Sequence, residues 1–490
     1  MTNQQQLQHL YWRAGFGPRP EDVAANLSPR KALRQLLRDA QPYQPLASPG
    51  IQAAEMQAMT PTPTPDLRQD PQAPALKKNE LTPEQRRQQN RQIRDAFYEM
   101  NTGWLARMAS SPAQLREKMT FFWHGHFACR VRRPDAALQL NNTIRRLALG
   151  KFSDLLLAVS KEPAMLQFLN NQQNRKQRPN ENFAREVMEL FTIGRGHYTE
   201  QDVKEAARAF TGWSYDAQGQ FVFREKQHDV GPKTFLGRTG NFGGEDILTI
   251  ILEQPQTAEF ITTKLYRFFV NDTPNPAHPN PAHIQPLAKA FFQSNYDLTD
   301  LMERLFTADW FYDAANVGTR IKSPIELLAG IKRTLGVELE DKKPLIVFQK
   351  ALGQTLFEPP NVAGWAGGRS WIDSSTLLFR LQLPQVLLKN AEISIALKED
   401  ENDIDPQQTK ADRTFRQPVK AKAKLAPLGL LLAKTPEAQQ PAALSQFLLQ
   451  APIRPENLQL VQQVAQKAPA EGHLRTMVTS LLSLPEYQLM

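Results

Sequence analysis

Apolar residues recur at three- and four-residue intervals along most of the chain, the spacing that gathers them on one face of an α-helix. Leu7, Leu10 and Tyr11, then Leu33, Leu36 and Leu37, mark two helices within residues 4–40, on either side of a glycine–proline turn at residues 15–20. Ser28-Pro29 is a helix start, a capping side chain followed by proline at the first helical position. The same logic recurs at Thr82-Pro83-Glu84-Gln85, ahead of a stripe through Ile93, Phe97, Met100, Trp104 and Met108. It recurs again at Ser111-Pro112, ahead of AQLREKMTFFWHGHFA. Helical spacing returns over residues 141–149, 152–169, 245–269, 320–336 and 426–490. The period changes to two at Phe221-Val222-Phe223, after a turn at 216–219, and predicts one small β-hairpin near residues 214–240. The expected fold class is therefore mainly α, a large multi-helix globular fold with that one hairpin.

Residues 179–213 carry the sharpest two-faced pattern. At 100° per residue, Glu181, Asn182, Arg185, Glu186 and Glu189 share one arc, and Phe183, Ala184, Val187, Met188, Leu190 and Phe191 share the other. Gly194 and Gly196 end this helix, and Thr199 with Asp202 has the capping-box spacing that starts a second one. Two readings of the polar arc stand side by side. It is a solvated face with Glu181 and Arg185 as an i,i+4 pair, or it is held against neighbouring chemistry. That chemistry would come from His126 before it and from His228, Asp229 and Lys233 after it. The imidazoles and carboxylates are of the type that moves protons, and Arg185 and Lys233 the type that faces an anion. A divalent metal would draw on His124, His126 and Glu186. Histidines two apart point to different helix faces, so this set needs the helix to break at Gly125. Trp365 and Trp371, beside flexible glycines in EPPNVAGWAGGRSWID, either present aromatic faces to a sugar, peptide or other ligand or plug a helical core. Asn180, Asn182 and Trp213 complete the candidate ligand-binding set.

Composition narrows the field. The 490 residues carry a formal charge of +9, which permits an anionic partner, but lysines and arginines are mixed with acidic residues and no nucleic-acid-binding signature is present. Nucleic acid is not the expected partner. One cysteine, Cys129, leaves no intrachain disulfide or multi-cysteine metal site. No run approaches the ~18 apolar residues of a membrane span, and the N-terminus lacks a secretory pattern, so the chain as written reads as cytoplasmic. Pro, Gln, Ala and Thr dominate residues 41–80, a linker or excursion. The expected organisation is N-terminal helices over 1–40, that linker, a helical core over 81–395, a charged mobile insertion over 396–425 and C-terminal helices over 426–490.

Six motifs in one order carry a resemblance: RAGFGPRPEDV at Arg13, FFWHGHF at Phe121, NENFAREVMELFTIG at Asn180, YTEQDVKEAARAFTGW at Tyr198, HDVGPKTFLG at His228 and PPNVAGWAGGRSWI at Pro359. Over nearly its full length the chain is similar to the bacterial family known as domain of unknown function 1800. The resemblance implies a mostly helical fold and an association with a sulfatase-like protein as partner, and it leaves a periplasmic location open. It implies no activity. The family pattern has a histidine where Phe191 stands here, so a metal site using that histidine would lack a ligand in this chain. Two functions follow as expectations: a non-catalytic binding or assembly factor acting with the sulfatase-like partner, or a metal-assisted, hydrolase-like enzyme.

Overall fold

The computed structural model describes residues 1–48, 82–272, 280–396 and 414–490. Among them lie 21 α-helices, as the three- and four-residue spacing predicts. Two of the predicted starts form as capping boxes, Thr82 with Gln85 and Thr199 with Asp202; the helix at Pro29 starts without a side-chain bond from Ser28, and the one expected after Ser111-Pro112 starts at Gln114.

The helix Gln114–His126 lies at the centre. The helices Asn3–Ala14, Pro29–Asp39, Pro83–Ser110 and Pro134–Leu147 all pack on it. Surrounded on every side, it buries all its residues but Gly125. Its polar side chains must therefore find partners inside the protein. The Arg116 guanidinium donates to the Ala40 and Arg145 carbonyls, each at 2.6 Å. Glu117 accepts from Trp104 Nε1, Arg107 and Arg145. Lys118 Nζ lies 2.6 Å from Glu326 Oε1, both side chains almost wholly buried. The helix runs unbroken through Gly125.

The N-terminal helices are fastened to the body by Arg13. Its Nη2 donates to the main-chain oxygens of Asn316 and Met490, both at 2.7 Å. The start of the Pro/Gln-rich segment is pinned as well, since Arg107 donates to the carbonyls of Gln44 and Pro45. Residues 49–81 of that segment lie outside the described residues.

Where one hairpin was expected near 214–240 there are two. Trp213–Tyr215 pairs with Phe221–Phe223, and Lys233–Phe235 pairs with Arg238–Gly240. The second turns on Leu236 and Gly237, both at positive φ, the backbone of a tight two-residue hairpin. Its strands are three residues long and carry no alternation strong enough to read. Two further strand pairs join Glu338–Leu339 to Ala421–Lys422 and Glu392–Ala396 to Thr414–Pro418. The segment expected as a charged mobile insertion thus contributes strands where it is described, and residues 397–413 lie outside the described residues.

Candidate functional site

The helix begun at Asn182 changes character after Glu186, and Val187–Phe191 forms a π-helical turn. Such a turn leaves carbonyls at its end without the usual partners. Side chains take their place. The Thr192 hydroxyl donates to the Val187 carbonyl at 2.6 Å, Lys264 Nζ to Leu190 at 3.1 Å, and His126 Nε2 lies 3.1 Å from the Phe191 carbonyl oxygen. A carbonyl only accepts, so His126 carries its proton on Nε2 and a lone pair on Nδ1. Burial, with Lys264 nearby, holds the imidazole well below its usual range, against the pull of the Phe191 carbonyl. Burial, followed by Arg267, brings the Lys264 ammonium down to about 8.

Both side chains line a cavity of about 340 Å³. Its walls come from the end of the helix Gln114–His126, from the helix Pro255–Phe269, from residues 320–326 and from the loop 354–371. Three cations, Lys264, Arg267 and Arg320, meet two carboxylates, Asp272 and Glu326, and the aromatic rings include Phe268, Trp365 and Trp371.

The loop is seated by main-chain contact. Gly364, at φ +77°, lies so close to the helix that a Cβ there would be 2.5 Å from the Gly125 carbonyl oxygen. His124 Nε2 accepts from the Phe357 N–H at 3.1 Å, with Phe357 at φ 68°. That bond needs a neutral ring, and burial followed by Arg145 pushes His124 down to about 3.

Behind the cavity is a buried charge cluster. Glu326 accepts from the Ser323 N–H through Oε2 and from Lys118 through Oε1. Burial alone would raise its carboxyl, but Lys118 and Arg320 outweigh burial and hold it down to about 2. Arg13, Arg320 and Arg380, with Lys118, outnumber that carboxylate, so positive charge is in excess. Arg320 is 7% exposed, its Nε and Nη1 make no hydrogen bond, and its guanidinium lies 5.0 Å over the Phe268 ring. Its backbone is fixed by pairing with Met490, with Met490 N–H donating to the Arg320 carbonyl at 2.8 Å.

The residues singled out from the sequence separate into several places. His126, Trp365 and Trp371 meet at the cavity. Arg185 pairs with Glu181 and Glu200, and Glu189 accepts from Arg195 and Tyr198. Glu186 lies beside Glu189, and burial, with that neighbour, raises its carboxyl. Asp229 pairs with Arg208, His228 bonds Thr211, and Lys233 donates to the Asp229 and Gly231 carbonyls. Among the described residues no three or more His, Cys, Asp and Glu side chains gather where they could hold a metal ion, so His124, His126 and Glu186 do not form a ligand set. Asn180 and Asn182 shape the turn before their helix, Asn182 Nδ2 donating to the Leu169 carbonyl. Trp213 is a core residue packed against Phe210 and Phe221. Arg185 sits in an exposed pair, which contributes little net stability; Arg185→Ala is expected to leave the urea midpoint unchanged.

Lys264, Arg267, Arg320, Asp272 and Glu326 escaped the sequence reading. One signal was present: Lys264 falls three after Ile261 and four before Phe268, inside the apolar stripe of its helix. A cation there must be satisfied from within the protein.

The family model described as "Protein of unknown function (DUF1800)" matches residues 9–489, and the chain belongs to that family. No curated protein and no solved structure matches it. No helix among the described residues is long and apolar enough to cross a membrane.

Proposed function

With membership of that family as the premise, we propose that the chain is a non-catalytic binding factor whose cavity holds a small organic anion. The observation that carries this is the meeting of Lys264, Arg267 and Arg320 at one aromatic-walled cavity, with Arg320 buried and short of partners. An anion there would accept charge-assisted hydrogen bonds, each worth about 1.5–3 kcal/mol. The cavity lies at the small end of the range for ligand pockets, roughly 300–1,000 Å³. The sulfatase-like partner implied by the family resemblance belongs to the same proposal. Tagged protein purified at low salt is expected to retain it, and repeated recovery of the chain alone would count against that part.

Calorimetric titration with sugar acids, aromatic carboxylates and phosphate monoesters tests the anion site. At least one is expected to bind, with affinity falling as salt rises and dropping about tenfold or more in Arg320→Gln. Binding by none of them at millimolar concentration would overturn the proposal.

The pH dependence has a definite sign. Lys264 is charged below about pH 8 and loses its proton above it, while burial keeps His126 on the facing helix neutral there. Affinity for an anion is expected to decline as pH rises past 8. Lys118 is also brought to about 8 by burial, so Lys264→Met separates the two: it should flatten the profile if Lys264 is the titrating group.

A further inference from the structure

We infer that the ligand of this cavity is a single sugar ring carrying one anionic group, an inference that rests on the anion-binding reading above. Cations alone would suit any anion of the right size. The walls hold more than cations.

Trp365 and Trp371 lie on the same loop and line the same cavity, together with Phe268. Trp371 is 8% exposed and Trp365 is half-buried. Flat aromatic faces of this kind suit the C–H face of a pyranose, which has no charge to solvate and loses little on leaving water.

Asp272 is the second observation. Asp272 offsets part of the charge of the cations around it, Arg13 among them, and it also repels a bound anion, so an anion alone makes no use of its oxygens. Of the two carboxylates present, Glu326 is already committed to Lys118 and to the Ser323 N–H. Asp272 is held against the loop instead. Gly368, at φ +56°, sits where a Cβ would be 2.6 Å from Asp272 Oδ2, so the loop main chain and the carboxylate share one corner of the cavity. A carboxylate accepts hydrogen bonds and cannot donate. Beside cations that take the anionic group, it fits a ligand that also offers hydroxyl donors.

Size supplies the third constraint. About 340 Å³ accommodates a single ring with its substituents. The shared chemistry is a hexopyranose bearing a carboxylate, phosphate or sulfate, and the arms of the test distinguish these.

Titration calorimetry on the full chain would compare glucuronate, glucose 6-phosphate and glucose 6-sulfate with neutral glucose and with succinate and benzoate. At least one acidic sugar is expected to bind about tenfold or more tightly than glucose, succinate and benzoate. Asp272→Ala gives opposite signs for the two readings. It should weaken the acidic sugar several-fold, through loss of the hydroxyl acceptor, and strengthen succinate, through loss of repulsion. If succinate or benzoate binds as well as every acidic sugar, or Asp272→Ala strengthens all anions alike, the sugar inference is overturned and the anion site stands. If no anion binds, both fall. The wild-type ranking decides the matter without the variant should Asp272→Ala fail to fold.

Discussion

Lys118→Met is expected to lower the unfolding free energy by about 3–5 kcal/mol, the cost of leaving a buried charge without its partner. Lys118 Nζ and Glu326 Oε1 are 2.6 Å apart, with side chains 0% and 1% exposed. Methionine keeps the length of the lysine stem and its packing against Phe16 and Phe268, over whose rings the ammonium lies at 4.9 and 5.6 Å. What it removes is the charge. Glu326 is then left with Arg320 at 3.8 Å, beyond hydrogen-bonding distance. Adding Glu326→Gln to the first substitution should deepen the loss rather than recover it, because Arg13, Arg320 and Arg380 then lose the buried carboxylate that supports their charge.

Urea unfolding of the single and double variants measures this, and a loss below about 1 kcal/mol would show that the pair is not what holds the centre together. Acid adds an independent reading. The Glu326 carboxyl is held at about 2 against an ordinary 4.5. A depressed carboxyl stabilises the fold above its unfolded value and loses that contribution as pH falls towards the folded one. Stability is therefore expected to drop between pH 4.5 and 2, and Lys118→Met should move the acid transition upward.

Gly364→Ala is expected to be the most damaging single methyl in the loop 354–371. Two costs add. At φ +77° an L-residue is strained by roughly 1–2 kcal/mol. The new Cβ would also lie 2.5 Å from the Gly125 carbonyl oxygen, and that atom belongs to the backbone of the central helix, which cannot swing aside. The loop must lift, taking with it Trp365, the Phe357 N–H bond to His124 and one wall of the cavity. Tryptophan fluorescence shifted to the red and protease cleavage within residues 359–370 would register the movement. An unchanged spectrum and cleavage pattern would mean that the loop is not seated on Gly125. Gly125→Ala is the contrast. No atom lies within 4 Å of a Cβ built there, so it should leave the fold intact.

The helix starts were legible because capping is local. Thr82 and Thr199 each satisfy a main-chain N–H three residues on, and the partner sits in the same stretch of sequence. The importance of the stretch 179–213 was legible as well, but the reason given by its polar arc was not the one the structure uses. Arg185, Glu189 and their neighbours form local pairs. The stretch reaches the cavity through main-chain carbonyls at Leu190 and Phe191. Phe191 lacks the histidine expected there from the family pattern, yet its carbonyl is what orients His126. Side-chain patterns cannot announce a carbonyl, since every residue has one.

The sequence by itself determined the helical class, the family, the breaks between helices and the use of Trp365 and Trp371 as marked aromatic residues, because periodicity, caps and motifs are properties of neighbouring positions. Tertiary structure alone decided which charges meet. Lys118 finds Glu326 across 208 residues, and Arg320 is set by pairing with Met490 at the far end of the chain. Burial then does the rest: an ion pair of this kind is worth little in water and costs several kcal/mol to break once water is excluded. Whether a lysine is a solvated surface charge or part of a binding site therefore depends on what surrounds it in space, and a linear pattern does not contain that distance.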